Sequence, residues 1–355
     1  MSDAPEPVAQ AVLDDLRRRL VATRAPSLPS GQGWDRGTDA DFLAGLVDHW
    51  ASGYDWRAHE DRLRALPWRR AGDLRVVHQR ADGPTVVLLH GWPDSVLRFE
   101  RALPLLADVD VVVPALPGYP FSDPATGMST TAMADAVAAG MAALGIERYA
   151  VSGGDIGSGV AAGLAQRHAE HVTALHLTDV PVGTGGIDDL SAAEREYAAA
   201  VAEWRRAEGG YMHEHATKPH TLAAGLADSP AGLLAWIVEK LRAWSDDFEA
   251  SFDRDEVLTW ATAYWVTNTI GTSFTPYFEA AEPFADVTVP TAVTLFPADI
   301  ATAPRELAER VFDVRHYEVL PDGGHFAAWE RPEAYVAGVR SALSLSASSP
   351  SSAAP

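Results

Sequence analysis

The chain has 355 residues, 47 % of them apolar, enough to bury one large core and a second lobe. Its formal charge of −21 argues against nucleic acid and anionic membrane surfaces as partners. Cysteine is absent, which excludes disulfides, thiolate metal sites and thiol nucleophiles together.

The first residues, Met1 to Gln10, are acidic and proline-rich, the reverse of a signal peptide. No apolar run approaches a membrane span, so a soluble, cytoplasmic protein is expected. Val8 to Thr23 has helical spacing, with Asp14 and Asp15 placed to pair with Arg17, Arg18 and Arg19. Asp39 to Trp50 reads as a second amphipathic helix. Residues 1–73 show no strand alternation and are expected to form an N-terminal arm packed on core and cap. From Leu74 the pattern changes. Leu74–Gln79, Thr85–Leu89, Val109–Val113, Tyr149–Val151 and Ala174–Thr178 are short β-branched or apolar runs, and helical stretches at Val96–Ala107, Thr130–Leu144 and Ser158–His168 separate the later ones. Buried strands alternating with helices predict a mostly parallel sheet covered on both faces. The alternation stops at a helical, Trp- and Tyr-rich stretch from Ser191 to about Ala281, broken at Gly209-Gly210, Pro219 and Pro230. Strands resume at Thr291–Phe296 and Val314–Val319. The expected organisation is an α/β core over 74–180 and 289–343, a helical cap over 181–288 above the strands' C-terminal edge, and a disordered tail over 344–355.

The chemistry concentrates at strand ends. Gly153-Gly154-Asp155-Ile156-Gly157 lies between a strand and a helix, the setting of a nucleophile elbow, where a tight turn lifts one side chain above the sheet. Here that residue is Asp155. A carboxylate attacking carbon makes an alkyl ester, whereas the more usual serine attacks an acyl group. An Asp in an ordinary glycine turn has the same local sequence, so the rest of the constellation has to decide. After Thr85–Leu89 comes His90-Gly91-Trp92-Pro93, whose turn can aim the Trp92 N–H at the site; the Ile156 N–H is the second candidate donor of an oxyanion hole. His90 is read as shaping that loop. Asp299 follows the strand at Thr291–Phe296, and His325 follows the strand at Val314–Val319. Nucleophile, acid, histidine is the chain order of the α/β-hydrolases, with His325 as general base and Asp299 orienting it. Asp179, at the end of Ala174–Thr178, is a rival for the acid; Asp299 is preferred because its strand directly precedes the histidine's.

With these residues in place, the chain resembles the microsomal-type epoxide hydrolases, from about Val8 to Leu343. The resemblance rests on several motifs in order. They are Trp34-Asp35-Arg36-Gly37-Thr38-Asp39 and Gly53-Tyr54-Asp55-Trp56-Arg57 in the arm, His90-Gly91-Trp92-Pro93, Pro117-Gly118-Tyr119 with Phe121-Ser122, Gly209-Gly210-Tyr211-Met212-His213, Thr217-Lys218-Pro219 and Gly323-Gly324-His325-Phe326. It implies two cap tyrosines that hydrogen-bond the epoxide oxygen, falling on Tyr211 and on Tyr277 in Thr275-Pro276-Tyr277-Phe278. It also implies hydrolysis of an apolar epoxide to a vicinal diol through a covalent aspartyl ester, with no cofactor and no metal. Two departures stand out. Ile156 replaces the tryptophan that usually follows the nucleophile, and Pro120 replaces a usual glycine. A haloalkane dehalogenase shares the Asp and His but needs halide-cradling donors, which the Ile156 side chain lacks. A non-catalytic carrier of an apolar ligand is the rival of a different class. Detoxification and natural-product assembly fit equally, and a homodimer is compatible with the sequence.

Overall fold

The computed structural model describes residues 3–27, 31–123, 125 and 128–348. Eight strands form one sheet: β1 Trp68–Ala71, β2 Leu74–Gln79, β3 Thr85–Leu89, β4 Asp110–Pro114, β5 Tyr149–Gly153, β6 Val172–Leu177, β7 Val287–Leu295 and β8 Phe312–Val319. Their spatial order is β1-β2-β4-β3-β5-β6-β7-β8. Only the pairings of β2, with β1 and with β4, are antiparallel. Every residue of β4 and β5 is buried, because helices cover the sheet and leave no wet face to alternate toward.

In chain order the helices are α1 Gln10–Val21, α2 Ala40–Ser52, α3 Trp56–Arg64, α4 Thr130–Ala143, α5 Ile156–Arg167, α6 Ala192–Glu208, α7 Gly210–Thr217, α8 Pro219–Asp228, α9 Pro230–Trp244, α10 Phe248–Ser251, α11 Arg254–Thr267, α12 Thr275–Phe278, α13 Arg305–Glu309, α14 Ala327–Glu330 and α15 Pro332–Ser348. Helices α5 and α15 pack on the central strands. The cap helices α6 to α12 all lie between β6 and β7. Their breaks follow local chemistry: Pro219 and Pro230 open α8 and α9, where a missing N–H costs nothing, and Ser229 caps α9 by accepting from the Gly232 N–H. Side-chain contacts tie the arm's helices to the cap. Arg19 reaches Asp228 at 2.6 Å, the Thr38 hydroxyl donates to the Ala235 carbonyl at 2.8 Å, and His49 meets Asp255 at 2.6 Å.

Four expectations need correction. The arm does contain a strand: β1 pairs with β2 through a tight turn at Gly72, whose φ is 60°. Its pattern, buried Trp68 and Ala71 around exposed Arg69 and Arg70, has no two-residue alternation to read. The stretch Val96–Ala107 forms two short 3₁₀ turns, Val96–Phe99 and Leu103–Leu106, because Pro104 removes a donor that a continuous helix requires. Strand β7 begins at Val287, so the sheet resumes inside the stretch assigned to the cap. Helix α15 runs on to Ser348, so residues 344–348 are not a tail; the remainder of that segment lies outside the described residues.

Candidate active site

The turn between β5 and α5 carries the strain expected of an elbow. Asp155 has φ 57° and ψ −131°, which a non-glycine residue adopts only when its surroundings impose it. The glycines on either side make the turn possible. A Cβ on Gly153 would lie 2.2 Å from the Gly157 carbonyl oxygen, and one on Gly157 would lie 2.2 Å from the Leu89 carbonyl oxygen. The elbow is therefore jammed against the end of β3, where the loop carrying Trp92 begins. As a result, the Trp92 N–H donates to Asp155 Oδ1 at 2.6 Å.

His325 stands across from this carboxylate, its Nε2 3.6 Å from Asp155 Oδ2 and without a hydrogen-bond partner. Its Nδ1 meets Asp299 Oδ1 at 2.7 Å, and Asp299 Oδ1 also accepts from the Ile300 N–H at 2.6 Å. Asp179 does not take the Asp299 position. Its Oδ1 accepts the backbone N–H of Asp155 at 2.8 Å, and its Oδ2 lies 2.8 Å from Ser158 Oγ. The loop bearing His325 is anchored through its backbone. The His325 N–H donates to the Trp244 carbonyl at 2.8 Å, while Glu330 accepts from the N–H groups of Phe326 at 2.9 Å and Asp246 at 2.8 Å.

Burial shifts each group, and the neighbours decide the outcome. Burial pushes the Asp155 carboxyl above its ordinary value, opposed by the His325 charge and by the N–H groups of Trp92 and Ile156. Burial works against an imidazolium at His325, but the Asp299 and Asp155 carboxylates outweigh it and raise the group to about 9. Asp299 is held below the usual carboxylate range: the cost of its burial is exceeded by His325 and the Ile300 N–H. The facing carboxylates of Asp155 and Asp299 thus favour the charged form of His325.

The cap supplies the opposite wall. Tyr211 on α7 and Tyr277 on α12 line the same cavity, about 460 Å³, as Asp155, Asp299 and His325. The Tyr211 ring stacks on Trp92, with centroids 5.3 Å apart and planes 9° apart. Tyr277 stands edge-on to Tyr211 at 6.0 Å; its buried hydroxyl makes no hydrogen bond of good geometry, although it lies close enough to Tyr211 to temper the shift of that phenol. Burial raises both phenols well above their ordinary value, and the negative charge of Asp155 adds to the effect, so both keep their protons. Ile156, Val180, Val182, Trp204, Met212 and Ile300 make much of the remaining wall apolar.

His90 ties its loop to the one after β4: its Nε2 accepts from the Leu116 N–H at 3.1 Å, and its Nδ1 is 3.5 Å from Asp94 in its own loop. Beneath the site lies a buried ion pair absent from the sequence reading. Arg98 binds Asp94 and also donates to the His325 carbonyl, while Asp94 accepts from the Gly91 N–H at 2.8 Å. Burial opposes the Asp94 charge, yet Arg98 and His90 hold the group down at about 2. Its sequence signal was available: two opposite charges four residues apart, immediately after a strand-end motif. Among the described residues no cluster of three or more His, Asp or Glu side chains could hold a metal ion.

Comparison with known proteins adds independent findings. Residues 5–99 match the family described as epoxide hydrolase N terminus, and residues 84–332 match the alpha/beta hydrolase fold. The juvenile hormone epoxide hydrolase of Bombyx mori is 30% identical, with 94% of this chain and 84% of that protein covered. Epoxide hydrolase 1 of Sus scrofa is 28% identical over 94% of this chain and 86% of its own. The structure of Aspergillus niger epoxide hydrolase superposes with a TM-score of 0.83 at 29% identity, covering 95% of each chain.

Proposed function

The chain belongs to the microsomal-type epoxide hydrolases, enzymes of the α/β-hydrolase fold with an epoxide hydrolase N-terminal segment, and from that premise we propose how its residues divide the reaction. Asp155 attacks one carbon of an apolar epoxide from the face opposite the ring oxygen. The Tyr211 and Tyr277 hydroxyls donate to that oxygen as its carbon bond breaks. The alkoxide takes a proton from a phenol, which gives it up only to a stronger base. The product of this step is an ester of Asp155. Esterification removes the Asp155 charge, one of the two carboxylates that raise His325. The imidazolium then gives up its proton more readily, returning it to the phenolate left by ring opening, and the neutral imidazole can take one from water. Hydroxide adds to the ester carbonyl and the N–H groups of Trp92 and Ile156 carry the oxyanion; the acyl C–O bond then breaks, the departing oxygen takes the proton of the added hydroxyl, and the diol leaves with the Asp155 carboxylate restored. Asp299 holds the ring orientation throughout.

One observation carries this reading. The Asp155 carboxylate is gripped by a backbone N–H at 2.6 Å and faced by an otherwise unbonded His325 Nε2 at 3.6 Å, in a cavity that also holds the unpartnered Tyr277 hydroxyl. The apolar wall supports an apolar substrate.

The test is His325→Gln with styrene oxide. Intact mass should show one substrate equivalent added to the protein, mapped to the peptide containing Asp155. In a single turnover of the parent enzyme in heavy-oxygen water, the first diol should carry unlabelled oxygen from Asp155. Immediate solvent label with no adduct would replace the covalent route by direct attack of water. Halide release from bromoalkanes without epoxide turnover would favour the dehalogenase reading.

A further inference from the structure

The geometry points to a task for Asp179: as an uncharged acid it donates its own proton to Ser158 and so clamps the strained backbone of the Asp155 turn, a positioning role. The mechanism above gives this carboxyl no part, although it lines the cavity beside Asp155. The number of protons available decides which group donates. Ser158 Oγ lies 2.7 Å from the Asp155 carbonyl oxygen and 2.8 Å from Asp179 Oδ2. A serine hydroxyl has one proton, and an ionised carboxylate has none. Both contacts are full hydrogen bonds only when Asp179 brings the second proton. Asp179 Oδ2–H then donates to Ser158 Oγ, and Ser158 Oγ–H donates to the Asp155 carbonyl. The Asp155 N–H closes the ring by donating to Asp179 Oδ1 at 2.8 Å. This ring holds both backbone polar groups of a residue kept at φ 57°. Ser158 is fully buried, so its hydroxyl must find its partners inside the protein.

The charges around Asp179 agree. Asp155 lies on the clamped turn and Asp299 after β7; His325 comes from the loop after β8 and Tyr197 from α6. Arg98 Nη2 and Asp179 Oδ1 lie 3.1 and 3.7 Å from one point, where a Cβ on Gly154 would sit, so this guanidinium is the nearest fixed cation, with its charge engaged by Asp94. Burial and the Asp299 and Asp155 carboxylates outweigh the Ser158 hydrogen bond and the His325 charge, which favour the ionised form, and raise Asp179 to about 7. The proton is therefore held below that pH and lost above it. Ionisation would break the link to Ser158 and set a third carboxylate around one imidazolium.

The experiment compares the parent enzyme, Asp179→Asn and Asp179→Ala with styrene oxide, reading the single-turnover rate of ester formation between pH 5.5 and 9. An asparagine amide reproduces both bonds without titrating. Asp179→Asn should stay within about twofold of the parent at pH 6 and lose the parent's decline through pH 7 to 8. Asp179→Ala should be slower by about tenfold or more at every pH, having lost a buried donor and acceptor. The infrared difference between parent and Asp179→Asn should contain a protonated-carboxyl band at pH 6 that is gone at pH 8. The proposal is overturned if Asp179→Asn is as slow as Asp179→Ala, if parent and Asp179→Asn profiles superimpose, or if that band is missing at pH 6. The kinetic arm rests on the proposed role of Asp155. The infrared arm needs no turnover, so a parent enzyme that forms no ester rejects that role while the band still decides the state of Asp179.

Discussion

Replacing Asp299 by Asn separates the two chemical steps. The substitution keeps the shape of the side chain but removes the charge 2.7 Å from His325 Nδ1. In the parent, His325 is raised to about 9 from an ordinary value of 6.5. That difference corresponds to roughly 3 kcal/mol in favour of the imidazolium, with Asp299 its largest favourable source. Without this charge, burial dominates and drives His325 below its ordinary value. A hydrogen bond to a charged group is worth about 1.5–3 kcal/mol, so ester hydrolysis should slow by about tenfold to a hundredfold. Ester formation depends on Asp155 and the tyrosines and should slow much less. At pH 7 the variant should therefore accumulate ester that the parent does not. Rapid-quench mixing with styrene oxide, followed by intact mass, measures both steps. Unchanged hydrolysis in Asp299→Asn would refute the orienting role. Equal slowing of both steps with no accumulated ester would place Asp299 in substrate binding or folding instead.

Other outcomes follow from the same geometry. In Gly91→Ala the new Cβ would lie 2.3 Å from Asp155 Oδ1 and 2.5 Å from Asp155 Cβ, so the carboxylate must leave the Trp92 N–H; ester formation should fall by about tenfold or more, with overpacking lowering stability by about 1–3 kcal/mol. Retained activity with an undisturbed fold would show that this close approach is dispensable. Tyr277→Phe removes an unpartnered hydroxyl, so folding stability should hold while ester formation drops by about a hundredfold; a variant with full activity would dismiss it as a donor. Arg98→Met leaves Asp94 buried without its cation and should cost about 3–5 kcal/mol in urea unfolding at pH 7. The sign with pH is set by Asp94, whose native value near 2 lies below the ordinary 3.8. Its stabilisation is present above the ordinary value and lost as pH falls through the native one, whereas the variant gains relief by protonating earlier. The gap between parent and Arg98→Met should narrow on acidification; a gap independent of pH would mean that lost packing, not charge, accounts for the loss.

Much of the candidate site was legible because its signals are local. Glycines flanking Asp155 and polar residues directly after apolar strands reflect constraints that operate within five or six residues. The tyrosines were different. A tyrosine in an aromatic-rich cap has no local mark of function, and Tyr211 and Tyr277 could be singled out only through family resemblance. The pairs Asp94–Arg98 and Asp179–Ser158 were missed for the converse reason. The four-residue spacing of Asp94 and Arg98 and the strand-end place of Asp179 were visible, but what each does lies in what surrounds it. Strand β1 escaped because four residues with two exposed arginines carry too little periodicity to separate from a loop.

By itself the sequence determined the order of strands and helices, the helical insertion and the identity of the residue at the elbow, since hydrophobic period and glycine placement are properties of neighbouring residues. Only the tertiary structure decided that Asp299 and not Asp179 meets His325, because both are acids at strand ends and sequence distance does not measure separation in space. It also decided the protonation of the site. Burial and facing charges set those equilibria, and residues scattered from Trp92 to His325 supply them together only once the sheet has formed beneath the cap.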